Sequence, residues 1–546
     1  MRKSVMASAM AGLIVANADQ AYSVERTCLV TDDQEQATTC PNCIERALMI
    51  TDESVVGTRS PAREEWSLEH LVEEISGSSD PGSTTAEAFV ADWLRSFEHD
   101  QVVSPNLVVP ARPRIRELVI EPWKEQALGR QGGSDEEWIR DPDFFATAPL
   151  RLVAIVNRID LAKFTRAPDP NPADDVIEGD FVNVRNAGEG RFVFQFLGAA
   201  GTPLPFTAIF EYELPASSPE QLIRWGKDWR TLADMEFGDT YNQHLADLTT
   251  RFTDRDSAVQ RPNSVLLNQI RTNEIALVLP PQDGDQGEEQ QQVQEEEVPP
   301  QWELREFRLA ADGALRNTTV ALTPDLTFDL EADLRAMLTA FVSEEVEGIE
   351  GDMLLDDQIS NGEQFEVPLN LGERNFRSGH AIVPGEWLNI ANPDARRPER
   401  PEPQETWMLD GGTVASGVEA KDRMWLSFNT CNGCHSGDTG TIFTQIDLRG
   451  DDRRPGNAGP QVPAHDDSVL SDFLCEWDLP ARRRGLVELL KSDDEPPSLL
   501  EMLNTVARGD PDIPACPPAP GAGPDTEEYN RAWMGCFMLE RQTRIH

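Results

Sequence analysis

The chain has 546 residues, 39% of them apolar, with 40 prolines and a formal charge of −48 at pH 7. A single hydrophobic core rarely grows past about 250–300 residues, so the length predicts more than one domain. The negative charge argues against nucleic acid and against anionic lipid surfaces as ligands, because both present phosphates that such a surface repels.

The N-terminus, "MRKSVMASAMAGLIVANADQAYS", has two basic residues, Arg2 and Lys3, then a small apolar run from Val5 to Ala16. Ala16-Asn17-Ala18 supplies a cleavage pattern, so residues 1–18 read as a secretory signal peptide. The run is too short to span a bilayer, and no later stretch reads as a membrane span, so no membrane insertion is expected. The predicted location is the periplasm or the cell exterior.

Residues 19–140 read as a helical N-terminal region. Within it, "TAEAFVADWLRSFEHD" puts Ala88, Val90, Trp93, Leu94 and Phe97 on one helical face. The texture then changes, and residues 150–360 read as an α+β domain. "LRLVAIVNRIDL" is apolar and β-branched, as a buried strand requires. "GRFVFQFLG" places Phe192, Phe194 and Phe196 on one side of a second strand, and "LPFTAIFEYEL" forms a third. Ser218-Pro219 opens one helix, and "TYNQHLADLTTRF" forms another. "WELREFRLAADGALRNTTVAL" predicts a hairpin, with Trp302, Leu304 and Phe307–Leu309 before the Asp312-Gly313 turn and Leu315–Leu322 after it. Residues 280–300, "PPQDGDQGEEQQQVQEEEVPP", predict a disordered acidic insert.

Residues 365–546 form the last region, expected to be irregular and helical. Here Met424–Phe428 predicts a short strand running into "TCNGCHSGDTGT", and Pro496-Pro497 separates two short helices. The expected fold class is therefore α+β and multi-domain, with a β-containing middle domain and a C-terminal domain that carries the Cys431–His435 motif.

The eight cysteines are Cys28, Cys40, Cys43, Cys431, Cys434, Cys475, Cys516 and Cys536. Export predicts that spare thiols pair as disulfide bonds. With Cys431 and Cys434 set aside, three cysteines remain near each end, so complete pairing would join the two ends at least once. Cys40-Pro41-Asn42-Cys43 is also a CxxC, but Ile44 follows it and no buried strand precedes it, which favours structural bonding over redox catalysis.

Cys431-Asn432-Gly433-Cys434-His435 is different. Two thiols three residues apart can each form a thioether with a porphyrin vinyl group. The next residue then offers an imidazole as axial ligand to the haem iron. A disulfide within the CxxC is the plainer alternative. Zinc is a poorer one, because a closed site needs four ligands and no second CxxC lies nearby. The motif resembles the haem-attachment motif of c-type cytochromes, over residues 431–435 only. The chain as a whole is similar to large exported bacterial proteins with one such motif, a similarity that implies no activity. The resemblance implies one covalently held haem c, with Cys431 and Cys434 as attachment points and His435 as the metal ligand. Met502 and His465 are the sixth-ligand candidates, ahead of Met534, Met538 and His380. Trp425, Phe428, Ile442, Phe443, Phe473 and Trp477 are candidate apolar walls.

No GxSxG, HExxH, phosphate-binding glycine loop or dinucleotide fingerprint occurs. Three functions remain open: a monohaem electron-transfer protein serving a redox partner protein, a haem-dependent oxidoreductase, and a non-haem binding or structural protein with a bridged CxxC.

Overall fold

The structure, a computed structural model, describes residues 46–57, 60–77, 84–166, 182–198, 201–255, 266–275, 277, 302–351, 367–383, 407, 409, 423, 426–427, 429–435, 445–448, 468–470, 474 and 478–490. The expected signal peptide, the expected acidic insert, Met502, His465, Met534, Met538, the six candidate wall residues and every cysteine except Cys431 and Cys434 lie outside them. So do the expected helix break at Pro496-Pro497 and the expected disulfide between the two ends of the chain.

One antiparallel sheet of eight strands organises the described residues. The strands are β1 (Met49–Ile50), β2 (Leu150–Arg158), β3 (Glu189–Leu197), β4 (Pro203–Glu213), β5 (Leu267–Glu274), β6 (Trp302–Leu309), β7 (Leu315–Thr318) and β8 (Ala381–Val383). The first seven lie side by side in chain order, so the sheet is a meander. The edge of β6 is shared: β8 pairs with Trp302–Leu304, and β7 pairs with Glu306–Leu309. The fold class is α+β.

Period-2 alternation gives the sheet two unlike faces. On one, Phe192, Phe194 and Phe196 of β3 meet Phe206, Phe210 and Tyr212 of β4, with Ile270 and Phe307 beyond. Helices cover this aromatic face. Helix α1 (Ala86–Ser96) starts at Thr85, whose hydroxyl caps the Ala88 amide. It sends Trp93 edge-on to Phe210 and Phe307, at 6.3 and 6.0 Å between ring centroids. Phe89, absent from the face read in the sequence, is buried there too, whereas Ala88 is only half-buried.

Helices α2 (Pro219–Ala233) and α3 (Asp239–Thr253) fill the connection from β4 to β5. Ser218 caps α2 with Pro219 in its first turn. Phe252 of α3 comes so close to β3 that a Cβ on Gly190 would lie 2.4 Å from its ring, so only glycine fits there.

The opposite face carries charge, yet it is buried. Arg191 bonds Glu189 at 2.6 Å and Glu211 at 3.3 Å. Arg271 bridges Glu211 and Glu306, both at 3.3 Å. Each charge has an opposite partner on the neighbouring strand or two residues along its own, which is what makes its burial tolerable. C-terminal segments pack here. Helix α4 (Leu479–Leu490) places Leu489 and Leu490 against Gly226 of α2, and Leu479, Leu486 and Leu489 join the main core.

That core runs from Leu48 to Leu489 without respecting the segment boundaries read in the sequence. Residues 49–50 complete one end of the sheet and residues 381–383 pair near the other. Among the described residues, no helix is long and apolar enough to cross a membrane.

Candidate functional site around Cys431–His435

Of the strand expected over Met424–Phe428, the described residues Leu426 and Ser427 are helical, as are the flanking Arg423 and Asn429. Arg423, Leu426, Ser427, Asn429 and Thr430 are all buried, so a pattern that equates polar with exposed misjudges this segment. After Thr430, whose backbone is extended, a single helical turn spans Cys431–Cys434.

Four contacts hold that turn. The Cys431 amide donates to Thr323 Oγ1 at 3.3 Å, and Trp407 Nε1 donates to Thr430 Oγ1 at 3.0 Å. Gln445 Nε2 donates to the Cys434 carbonyl at 3.0 Å and lies 3.5 Å from its sulfur. Gly433 presses on the preceding segment: a Cβ there would sit 2.1 Å from the Ser427 carbonyl oxygen. The motif's glycine is thus required by backbone approach.

Cys431 sits in a small apolar cluster with Ile275, Trp302, Leu304, Ala381 and Val383, on the charged side of the sheet near its β6–β8 edge. His435 lies flat on Trp302, with centroids 4.5 Å apart and planes 16° from parallel. Trp302 is fully buried and His435 is 7% exposed. Both cysteines are buried, at 1% and 0% exposure. Burial pushes the Cys431 thiol above its ordinary pKa, opposed by the positive field of Arg271. Burial does the same to Cys434, and the neighbouring Cys431 and Asp478 push the same way.

Charged groups ring the turn. Arg158 pairs with Asp160 at 2.8 Å, and Arg482 of α4 pairs with Asp478. Asp160 is held at about 2 because the attraction of Arg158 and Arg482 outweighs its burial. Arg482 is lowered to about 10 by burial and by the like charge of Arg158.

A c-type haem can be tested against these residues. The donor set fits it: two thiols on one turn and an imidazole directly after. Trp302 covers a ring face of His435 and neither of its in-plane nitrogens. Two buried donors at the turn, Trp302 Nε1 and Asn432 Nδ2, have no acceptor among the described residues, so those residues alone do not complete the site. No group of three or more His, Cys, Asp or Glu able to hold a metal ion occurs among the described residues. Haem needs none, since the porphyrin supplies the in-plane ligands.

Of the sixth-ligand candidates, only His380 is described. It follows β-alternation onto the aromatic face, opposite His435, where it bonds Glu303. That geometry removes it as a partner of His435 across the iron. Trp302 was legible in the sequence only as a strand residue; nothing local in "WELREFR" signals its stacking partner.

The thiol burial gives a direct expectation. In folded protein with unmodified Cys431 and Cys434, a thiol-specific alkylating reagent at pH 8 labels both about 100-fold or more slower than in urea-unfolded protein, because labelling waits for local opening. Peptide mapping by mass reads each site. Equal rates in the two states contradict the packing described.

No protein-family model, curated protein or solved structure matches the chain.

Proposed function

We propose that this is an exported monohaem c-type protein that transfers electrons. Cys431 and Cys434 would hold the haem covalently and His435 would ligate its iron. The observation that carries this reading is the single turn that presents both thiols with the imidazole next in line, held against Trp302. The haem, when bound, supplies a one-electron couple at iron. The chain's own part is to fix the attachment points, keep the His435 ring flat on Trp302, and exclude water with the apolar cluster around Cys431. Met502 or His465 completes the coordination, the C-terminal segments make up the cytochrome c-like portion, and the sheet serves as scaffold for a redox partner protein. Export follows from the signal sequence at residues 1–18. An open sixth position would make the protein a haem-dependent oxidoreductase.

One observation favours a second reading. Both sulfurs are nearly inaccessible and Cys431 packs as an ordinary core residue, which suits a non-haem binding or structural protein with a bridged CxxC. Export of the full chain in a host that attaches haem c decides between them. The expected product is coloured, has a Soret band, carries the mass of one haem, and loses both when Cys431 and Cys434 are replaced by alanine. Colourless protein with Cys431 bridged to another cysteine supports the second reading. Carbon monoxide binding to the reduced protein distinguishes an open sixth position from a filled one.

A further inference from the structure

The geometry points to Trp302 as the positioning residue for His435: its indole sets the plane of the imidazole, and so the direction in which the ring presents its nitrogens. The role rests on the haem reading, but the contact that produces it does not.

The platform is rigid, and its rigidity comes from both sides of one strand. Trp302 opens β6, pairs with Val383 of β8, and packs in the cluster formed by Ile275, Leu304, Val320 and Ala381. The next residue, Glu303, points through the sheet to the other face. There it receives Arg112 Nε at 3.0 Å, Arg305 Nε at 3.1 Å and His380 Nδ1. The strand is thus clamped at consecutive residues, by apolar packing above and by ion pairs below.

The imidazole rests on this platform at 4.5 Å and 16°. Turning the ring about its Cβ–Cγ bond would drive an edge into the indole, so the stack allows essentially one plane. Both ring nitrogens lie in that plane and are not covered by Trp302. The flat wall selects the ring plane whichever nitrogen carries the proton. A leucine at 302 would fill the apolar cluster but offer no flat wall. A phenylalanine would retain one.

The test begins with haem-free protein, using NMR of histidine side chains. The His435 ring protons are expected upfield of the other histidines' and to show nuclear Overhauser contacts to the Trp302 indole. Trp302→Leu returns them to ordinary positions, and Trp302→Phe keeps much of the upfield shift. The amide spectrum of the sheet verifies that each variant is folded. In protein that has taken up haem, Trp302→Leu changes the spread of the low-spin ferric g-values, whereas Trp302→Phe stays close to wild type.

Absence of the Overhauser contacts in the wild type overturns the proposal, and needs no variant to fold. Identical His435 shifts in folded wild type and Trp302→Leu overturn it as well. Failure to take up haem sinks the haem reading alone, because the haem-free measurements still judge the stack.

Discussion

Replacing Glu303 by alanine lowers the unfolding free energy by about 3–5 kcal/mol, the cost typical of removing one member of a buried ion pair. Glu303 is fully buried and meets Arg112, Arg305 and His380 at once. Its carboxylate is held far below the ordinary range by the Arg305 charge, the His380 bond and the Arg112 charge, which together overcome burial. Truncation strands Arg305, itself fully buried, whose Nη1 already has no acceptor among the described residues. Urea unfolding at pH 7 measures the loss. A value below about 1 kcal/mol, the range of an exposed pair such as Arg130–Glu137, would mean that water reaches the cluster.

Glu274 is expected to give the protein a negative slope of stability with pH. It lies directly across from Glu303 in the β5–β6 pairing. Burial and the Glu303 charge raise it to about 8, against the pull of Arg112. A protonated Glu274 carboxyl donates to Glu303 while accepting from Leu277 N at 2.9 Å. The unfolded chain releases this proton near pH 4.5 and the folded chain near 8, so the folded state holds one more proton between those values. Stability from this group is therefore complete below pH 4.5, falls as pH rises, and is lost once pH passes 8. The slope reaches at most about 1.4 kcal/mol per pH unit. Glu274→Gln keeps a donor toward Glu303 and removes the proton. Unfolding measured from pH 5 to 9 should lose this component of the slope, while the buried Glu211 and Asp478, also raised by burial, keep theirs. An unchanged slope would show that the two carboxyls do not share a proton.

The parts of the fold that could be read from the sequence were those with one-sided patterns. Phe192, Phe194 and Phe196 alternate cleanly, and the Ser218-Pro219 helix start and the Asp312-Gly313 turn each carry their own local chemistry. Strand β5, "LNQIRTNE", gave no such signal. Gln269, Arg271 and Asn273 look like a solvent face, yet all three are buried among the charges of neighbouring strands. Charge that is paired across strands is invisible to a pattern that equates polar with exposed. The same blindness hid the Glu274–Glu303 pair in a chain with 96 acidic residues. At the candidate site, the five motif residues were legible because their chemistry is local. The stack on Trp302 was not, because it joins segments far apart in sequence.

The meander has a bearing on the order in which the molecule is made. Strands β2 to β7 pair in chain order and can add one after another as they emerge, each closing a shorter loop than the contact below. The Cys431–Cys434 turn is different: its amide is tied to Thr323, 108 positions earlier, and its cluster includes residues of β6 and β8. It is therefore among the last pieces to dock, and docking closes off both sulfurs. On the proposed function, bond formation at Cys431 and Cys434 would belong to the interval before that closure. A chain that docked first would already have both sulfurs buried, so on that proposal the rate of folding would compete with the yield of modified protein.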